Sequence, residues 1–243
     1  MNHEKDALNT VDLEDFTHDK IGDNHEAHEE IGDNHVMTSI ETPLRKDAFD
    51  LDDENKVRLI SDHFKAIMET LGLDVENESL RGTPERVARM YVNEIFKGLN
   101  PANKPIARKF SNEYEYGDMV VEKNIQVSSF CEHHFLPFIG KAHVAYISSG
   151  KVIGLSKINR IVDYYSRRPQ VQERLTLQIA NELSEALETD DVAIFIESRH
   201  FCVSMRGIQD TASSTVTSEF RGAFKSGDTQ RRFLDYIRTE TEM

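Results

Sequence analysis

The run SSFCEHHFLPF, residues 128–138, sets Cys131 and two adjacent histidines, His133 and His134, inside an otherwise apolar stretch. Cys131 and His134 stand in C-x-x-H spacing, which lets two side chains of a tight turn converge on one ion, and thiolate with imidazole is a donor set zinc prefers. The only other cysteine, Cys202, lies far downstream in HFCVSM. Two thiolates and one imidazole make three ligands, and a three-ligand zinc keeps its fourth position for water, whose pKa it lowers to about 7. That count points to hydrolysis rather than to a structural site. Adjacent residues of an extended segment point to opposite sides, so only one of His133 and His134 is expected to bind the ion. His200, two positions before Cys202 in a stretch with strand character, is expected to face the same way and to carry protons beside the metal. Two cysteines and two histidines in apolar segments are also compatible with a plain buried core.

A second set of residues is basic. Lys157 and Arg160 fall in the first turn of a helix that Ser156 could cap, Arg206 follows the Cys202 segment, and Arg86 lies in TPERVARMY. A helix N-terminus with added Lys and Arg suits phosphate, although each such side chain alone is an ordinary surface charge. Gln172 and Glu173 open another helix. Its dipole is sufficient reason for a carboxylate there, while a carboxylate also accepts from both N–H groups on the guanine edge.

The elements that must position these groups follow from periodicity. Val57, Ile60, Phe64, Ile67, Met68 and Leu71 recur at helical spacing, as do Val87, Met90, Tyr91, Ile95 and Phe96 after Thr83-Pro84. Residues 118–130, 141–148, 191–205 and 213–224 are rich in β-branched and aromatic side chains and predict strands. Helices are expected from Ser156 toward Pro169, through Leu175, Ile179, Leu183 and Leu187, and over the closing DTQRRFLDYI. Runs of helices and strands without strict alternation predict an α+β fold with antiparallel pairing. The expected organisation is an acidic extension over 1–54, a helical region over 55–100 and a catalytic domain over 101–243.

The net charge of −14 is unevenly placed: residues 1–54 hold 17 Asp and Glu against 4 Lys and Arg, so the rest is almost neutral. Within that extension HDKIGDNHEA is followed by HEEIGDNHVM at a ten-residue period, in a composition that predicts disorder. No run approaches the roughly 18 apolar residues of a membrane helix, no signal-peptide order is present, and a cytoplasmic location is expected. Two cysteines exclude a disulfide framework, although not a single bridge. The charge balance gives no reason to expect a nucleic-acid partner.

The segments GTPERVARMYVNEIFKGL, CEHHFLPFIGKAHVAYI, VIGLSKINRIVDYYSRRPQVQERLT, HFCVSMRGI and GAFKS resemble the zinc-dependent GTP cyclohydrolase I family, in order and over about three-quarters of the chain. The resemblance implies the tunnelling fold, with a four-stranded antiparallel sheet carrying helices on one face, and subunits joined into a toroidal homodecamer. It implies one zinc ion per subunit on Cys131, His134 and Cys202, with His133 and His200 as acid-base groups. It further implies that Glu173 and Gln172 hold guanine, that Ser156, Lys157, Arg160 and Arg206 receive ribose and triphosphate, and that Arg86 reaches in from a neighbouring subunit. The implied reaction opens the imidazole ring of GTP at C8, releases formate and yields 7,8-dihydroneopterin triphosphate. The N-terminal extension is no part of the family pattern. An NADPH-dependent nitrile reductase of the same fold is the alternative, but it uses a cysteine nucleophile without zinc, and the Cys131, His134 and Cys202 set argues against it.

Overall fold

The computed structural model describes residues 39–239. The near-repeat, at 18–37, and the disorder expected there lie outside the described residues. Helix α1, Asp53–Thr70, starts where the Asp52 side chain accepts from the Asn55 N–H at 2.8 Å, and Asp53 and Glu54 add favourable charge to its first turn. It packs on α2, Thr83–Met90, whose cap is Gly82, with Pro84 just inside the first turn. The helix then widens into a single π turn, Tyr91–Ile95.

A short ribbon pairs β1, Lys109–Ser111, with β4, Lys151–Ile153. The main sheet is built from β2, Met119–Cys131, β3, Pro137–Ile147, β6, Val192–His200, and β7, Thr215–Phe220, all antiparallel neighbours in that order. A two-residue strand β5, Pro169–Gln170, adds to β2 in parallel through Phe130↔Pro169 and Cys131↔Gln170. The four long strands thus form the antiparallel sheet expected of the β-rich segments 118–130, 141–148, 191–205 and 213–224.

Helices α3, Leu155–Ser166, and α4, Gln172–Leu187, cover one face. Leu175, Ile179, Leu183 and Leu187 are each 0% exposed and meet Ala142, Val144 and Tyr146 of β3 in one core. Burial of that order is worth roughly 1.5–3 kcal/mol for each large apolar side chain. Ala145 points the other way and joins Phe224 and Phe233, where α6, Gly227–Arg238, closes one part of the opposite face.

Two boundaries differ from expectation near the site. Strand β6 stops at His200, and Phe201–Ser204 form a short helix, α5, so Cys202 is helical rather than in a strand. The cap of α3 is Gly154, which accepts from the Lys157 N–H at 2.8 Å, so Ser156 lies inside the first turn and is not the cap. A glycine two residues upstream left Ser156 with no cap to supply.

Segment 39–42 is tied to α4 and its approach. The Ser39 carbonyl accepts from Arg174 Nε at 2.9 Å, the Ile40 carbonyl from Gln178 Nε2 at 2.8 Å and Thr42 Oγ1 from Arg168 Nη1 at 3.5 Å.

Gly140 sits in β3 opposite Ser198, where a β-carbon would collide with the Glu197 carbonyl of β6. Gly140→Ala is expected to cost at least about 1–3 kcal/mol, as overpacking does. Thermal denaturation measures it, and an unchanged Tm would contradict the close strand contact.

Candidate metal and active site

Three strand ends meet at one end of the sheet. β3 lies between β2 and β6, and its first residues pair as Phe130↔Pro137 on one side and Phe138↔His200 on the other. Cys131 at the end of β2 and Cys202 just beyond β6 therefore flank the start of the same strand. The β2–β3 connection is a tight loop, with the Cys131 N–H donating to the Leu136 carbonyl at 2.8 Å and the Phe135 N–H to the Cys131 carbonyl at 2.9 Å. Phe135 takes a left-handed φ of 52°, which a bulky residue adopts only when its surroundings hold it there. Its ring packs edge-on against Phe96 at 5.4 Å, which joins the helical region to this loop.

The loop brings one ligand atom from each of Cys131, His134 and Cys202 within 4.8 Å of one another, the one such cluster among the described residues. Tetrahedral zinc, with Zn–S about 2.3 Å and Zn–N about 2.0 Å, asks for donor atoms about 3.5–3.8 Å apart, so the set fits a zinc ion with little closure. Burial and the neighbouring Cys131 sulfur push the Cys202 thiol up to about 11. A cation between two such sulfurs reverses that preference and draws off both protons.

Of the two adjacent histidines His134 alone has a ring nitrogen in the cluster, and the pair is not in the extended segment that strand alternation assumes. They lie in a turn, their rings 6.4 Å apart and inclined at 74°. His133 Nδ1 is 3.7 Å from Cys131 Sγ, and its Nε2 is 3.9 Å from Glu132 Oε1. On His134, Nε2 accepts from Arg206 Nη1 at 2.7 Å, since a guanidinium can only donate. Arg206 is therefore brought to the cluster itself.

His200 stacks on Phe138 with centroids 4.6 Å apart, and burial lowers its pKa, with Glu173 acting weakly in the opposite sense. Its Nε2 is 2.9 Å from Gln172 Oε1. The Gln172 amide nitrogen lies 3.2 Å from the Ile196 carbonyl, 3.0 Å from the Thr215 carbonyl and 3.1 Å from Thr217 Oγ1. Those acceptors fix the carboxamide so that its oxygen faces His200, whose Nε2–H donates to it and leaves the lone pair on Nδ1. Gln172, 1% exposed, thus spends its polar atoms orienting His200. Glu173, next in the first turn of α4, is exposed.

The remaining basic residues lie elsewhere in this chain. Lys157 and Arg160 line a cleft of about 480 Å³ with Lys97, Lys104 and Asp163, and that lining includes none of Cys131, His133, His134, His200 or Cys202. Ser156 is exposed on the same helix turn. Arg86 is exposed on α2, where its Nη2 donates to Thr83 Oγ1 at 2.9 Å. Sequence reasoning missed Arg174, fully buried and paired with Glu132 of the loop. Its only sequence signal was an arginine on the apolar face of α4.

Fold and donor set together define an α+β protein with a Cys/His/Cys cluster fit for a metal ion. The chain belongs to the GTP cyclohydrolase I family, whose model matches residues 60–238. GTP cyclohydrolase 1 of Flavobacterium johnsoniae is 59% identical over 232 residues, covering 96% of this chain and 99% of the relative. The Aeromonas hydrophila and Citrobacter koseri proteins of the same name are 52% identical over 196 residues and 48% over 204, covering 80% and 84% of this chain and 89% and 92% of the relatives. The family model begins beyond the acidic extension, yet the Flavobacterium alignment runs well into it. An archaeosine synthase QueF-like structure aligns at TM-score 0.37 and 17% identity over 43% of this chain and 94% of its own, too weak a likeness to argue from.

Cys202→Ser is expected to weaken zinc binding more than about 100-fold, beyond the usual loss from even an outer partner of a metal. Elemental analysis after dialysis reads it, and full zinc content in the variant would contradict the ligand set. In the unaltered protein, zinc affinity by chelator competition should fall from about pH 8 to about pH 6, because binding must displace thiol protons.

Proposed function

We propose that this chain is a zinc-dependent GTP cyclohydrolase that opens the guanine imidazole ring, releases C8 as formate and forms 7,8-dihydroneopterin triphosphate, the first step toward pterin and folate cofactors. The observation that carries the reading is the meeting of the Cys131, His134 and Cys202 donor atoms within 4.8 Å in a chain of this family. Cys131, His134 and Cys202 would hold one zinc ion per subunit, which would supply a Lewis acid able to make water nucleophilic near neutral pH.

The protein's own groups do the rest. His200, held by Gln172 through Nε2, keeps Nδ1 as the atom that takes and returns a proton. His133, beside the cluster, is the second acid-base group and protonates the leaving ring nitrogen. Glu173 accepts from the N1–H and N2–H of guanine and Gln172 completes that end of the pocket through His200. Arg206 meets the phosphates from the metal side. Ser156, Lys157 and Arg160 meet ribose and triphosphate, and Arg86 comes from a neighbouring subunit. The separation of the Lys157 cleft from the cysteine cluster within one chain favours sites shared between subunits of a homo-oligomer, a toroidal decamer. The cytoplasm, where thiols stay reduced, suits this ligand set. Two thiols beside an imidazole also argue against a lone cysteine nucleophile, and so against nitrile reduction.

Purified protein incubated with GTP should release formate and give neopterin fluorescence after oxidation and dephosphorylation. A chelator should abolish both and zinc restore them. Zinc-loaded protein that makes no formate would sink this reading, and NADPH oxidation with a nitrile substrate would replace it.

A further inference from the structure

Arg174 is among the largest fully buried side chains, at 1% exposure. Its guanidinium is shared between two parts of the chain. Nη1 and Nη2 donate to the two carboxylate oxygens of Glu132, the Nη2–Oε1 distance being 3.2 Å, and Nε donates to the Ser39 carbonyl at 2.9 Å. Glu132 stands between Cys131 and His133, its side chain 18% exposed and Oε1 3.9 Å from His133 Nε2. Its own N–H donates to the Gln170 carbonyl at 3.0 Å. Gln170 Nε2 in turn donates to Gln178 Oε1 at 2.7 Å, and Gln178 holds the Ile40 carbonyl.

A fork of two N–H groups on a carboxylate fixes orientation as well as position. Glu132 is therefore pinned at its main chain by β5 and at its side chain by α4. Rotation of the loop about its own axis is set there, and with it which flanking histidine turns toward Cys202. Stability alone does not call for such a pair, since buried ions are often replaced by apolar side chains without loss. What an apolar pair lacks is the fixed direction.

We infer that Arg174 is a positioning residue of the metal loop. Through Glu132 it holds the Cys131–His134 turn and the His133 ring in their working arrangement, and the Ser39–Ile40 segment braces it from behind. The part concerning turnover rests on the reaction proposed above; the part concerning zinc does not.

The test uses the full chain with Arg174→Met, Arg174→Lys, Glu132→Gln and the Arg174→Met/Glu132→Gln double variant. It reads zinc affinity against a chromophoric chelator, kcat and KM for GTP, and Tm. Arg174→Met is expected to lower zinc affinity and kcat each about 10–100-fold, as loss of an outer partner of a metal ligand does, with KM for GTP little changed. Arg174→Lys, which keeps the charge and one hydrogen bond, should recover part of both. The double variant should lose no more than Arg174→Met alone, because the two residues act as one unit. If Arg174→Met fails to fold, Arg174→Lys and Glu132→Gln decide by the same readouts.

A lowered Tm with wild-type zinc affinity and wild-type kcat per zinc would overturn the inference, as would additive losses in the double variant. An unaltered protein that makes no formate overturns the reaction and leaves zinc affinity to decide on Arg174.

Discussion

Two cysteine sulfurs brought side by side, with the Cys202 thiol held protonated by burial and by the Cys131 sulfur, are the constraint on which the site depends. Cys131 and Cys202 come from distant parts of the chain, and the sheet brings them together because β2 and β6 both end beside the start of β3. Burial and mutual repulsion of thiolates set a cost that only a cation with matching donors offsets. His134, delivered by the turn out of β2, completes that donor set. The cluster is thus a property of strand register, and a one-residue slip of β3 would separate its parts.

Around that centre the polar groups are held from behind. Gln172 reaches three acceptors on β6 and β7 to aim one oxygen at His200. Phe138 stacks under the same ring, and Phe96 braces Phe135 in its left-handed conformation. Tautomer and ring direction are fixed by such partners, and here they come from α4, from the sheet and from the helical region.

Much of this was legible in the chain. The C-x-x-H spacing with a single distant cysteine picks out the three side chains whose possible ligand atoms come within 4.8 Å of one another, and four leucine-like positions at helical spacing mark the buried face of α4. The limits are as physical as the successes. His200 and Cys202 read as strand neighbours, yet β6 ends between them, since a strand boundary depends on pairing that local composition does not carry. β3 begins at Pro137, earlier than β-rich composition indicated, because the first residue of a strand tolerates a missing N–H. Arg174 and Glu132 stand in no motif of the sequence, and only tertiary packing pairs the buried arginine with the partly buried carboxylate. Lys157 and Arg160 line a cleft that includes none of the cluster residues and Arg86 is exposed on α2, so charge and helix position alone did not reveal where these side chains would lie.

The chemistry of the site turns on which atoms hold the ion. Zinc K-edge X-ray absorption of the zinc-loaded protein measures that directly. It should give two sulfur scatterers at about 2.3 Å, with nitrogen or oxygen at about 2.0 Å completing a four-coordinate shell. A shell made of nitrogen and oxygen alone, or one containing a single sulfur, would contradict the convergence of Cys131 and Cys202 on one ion.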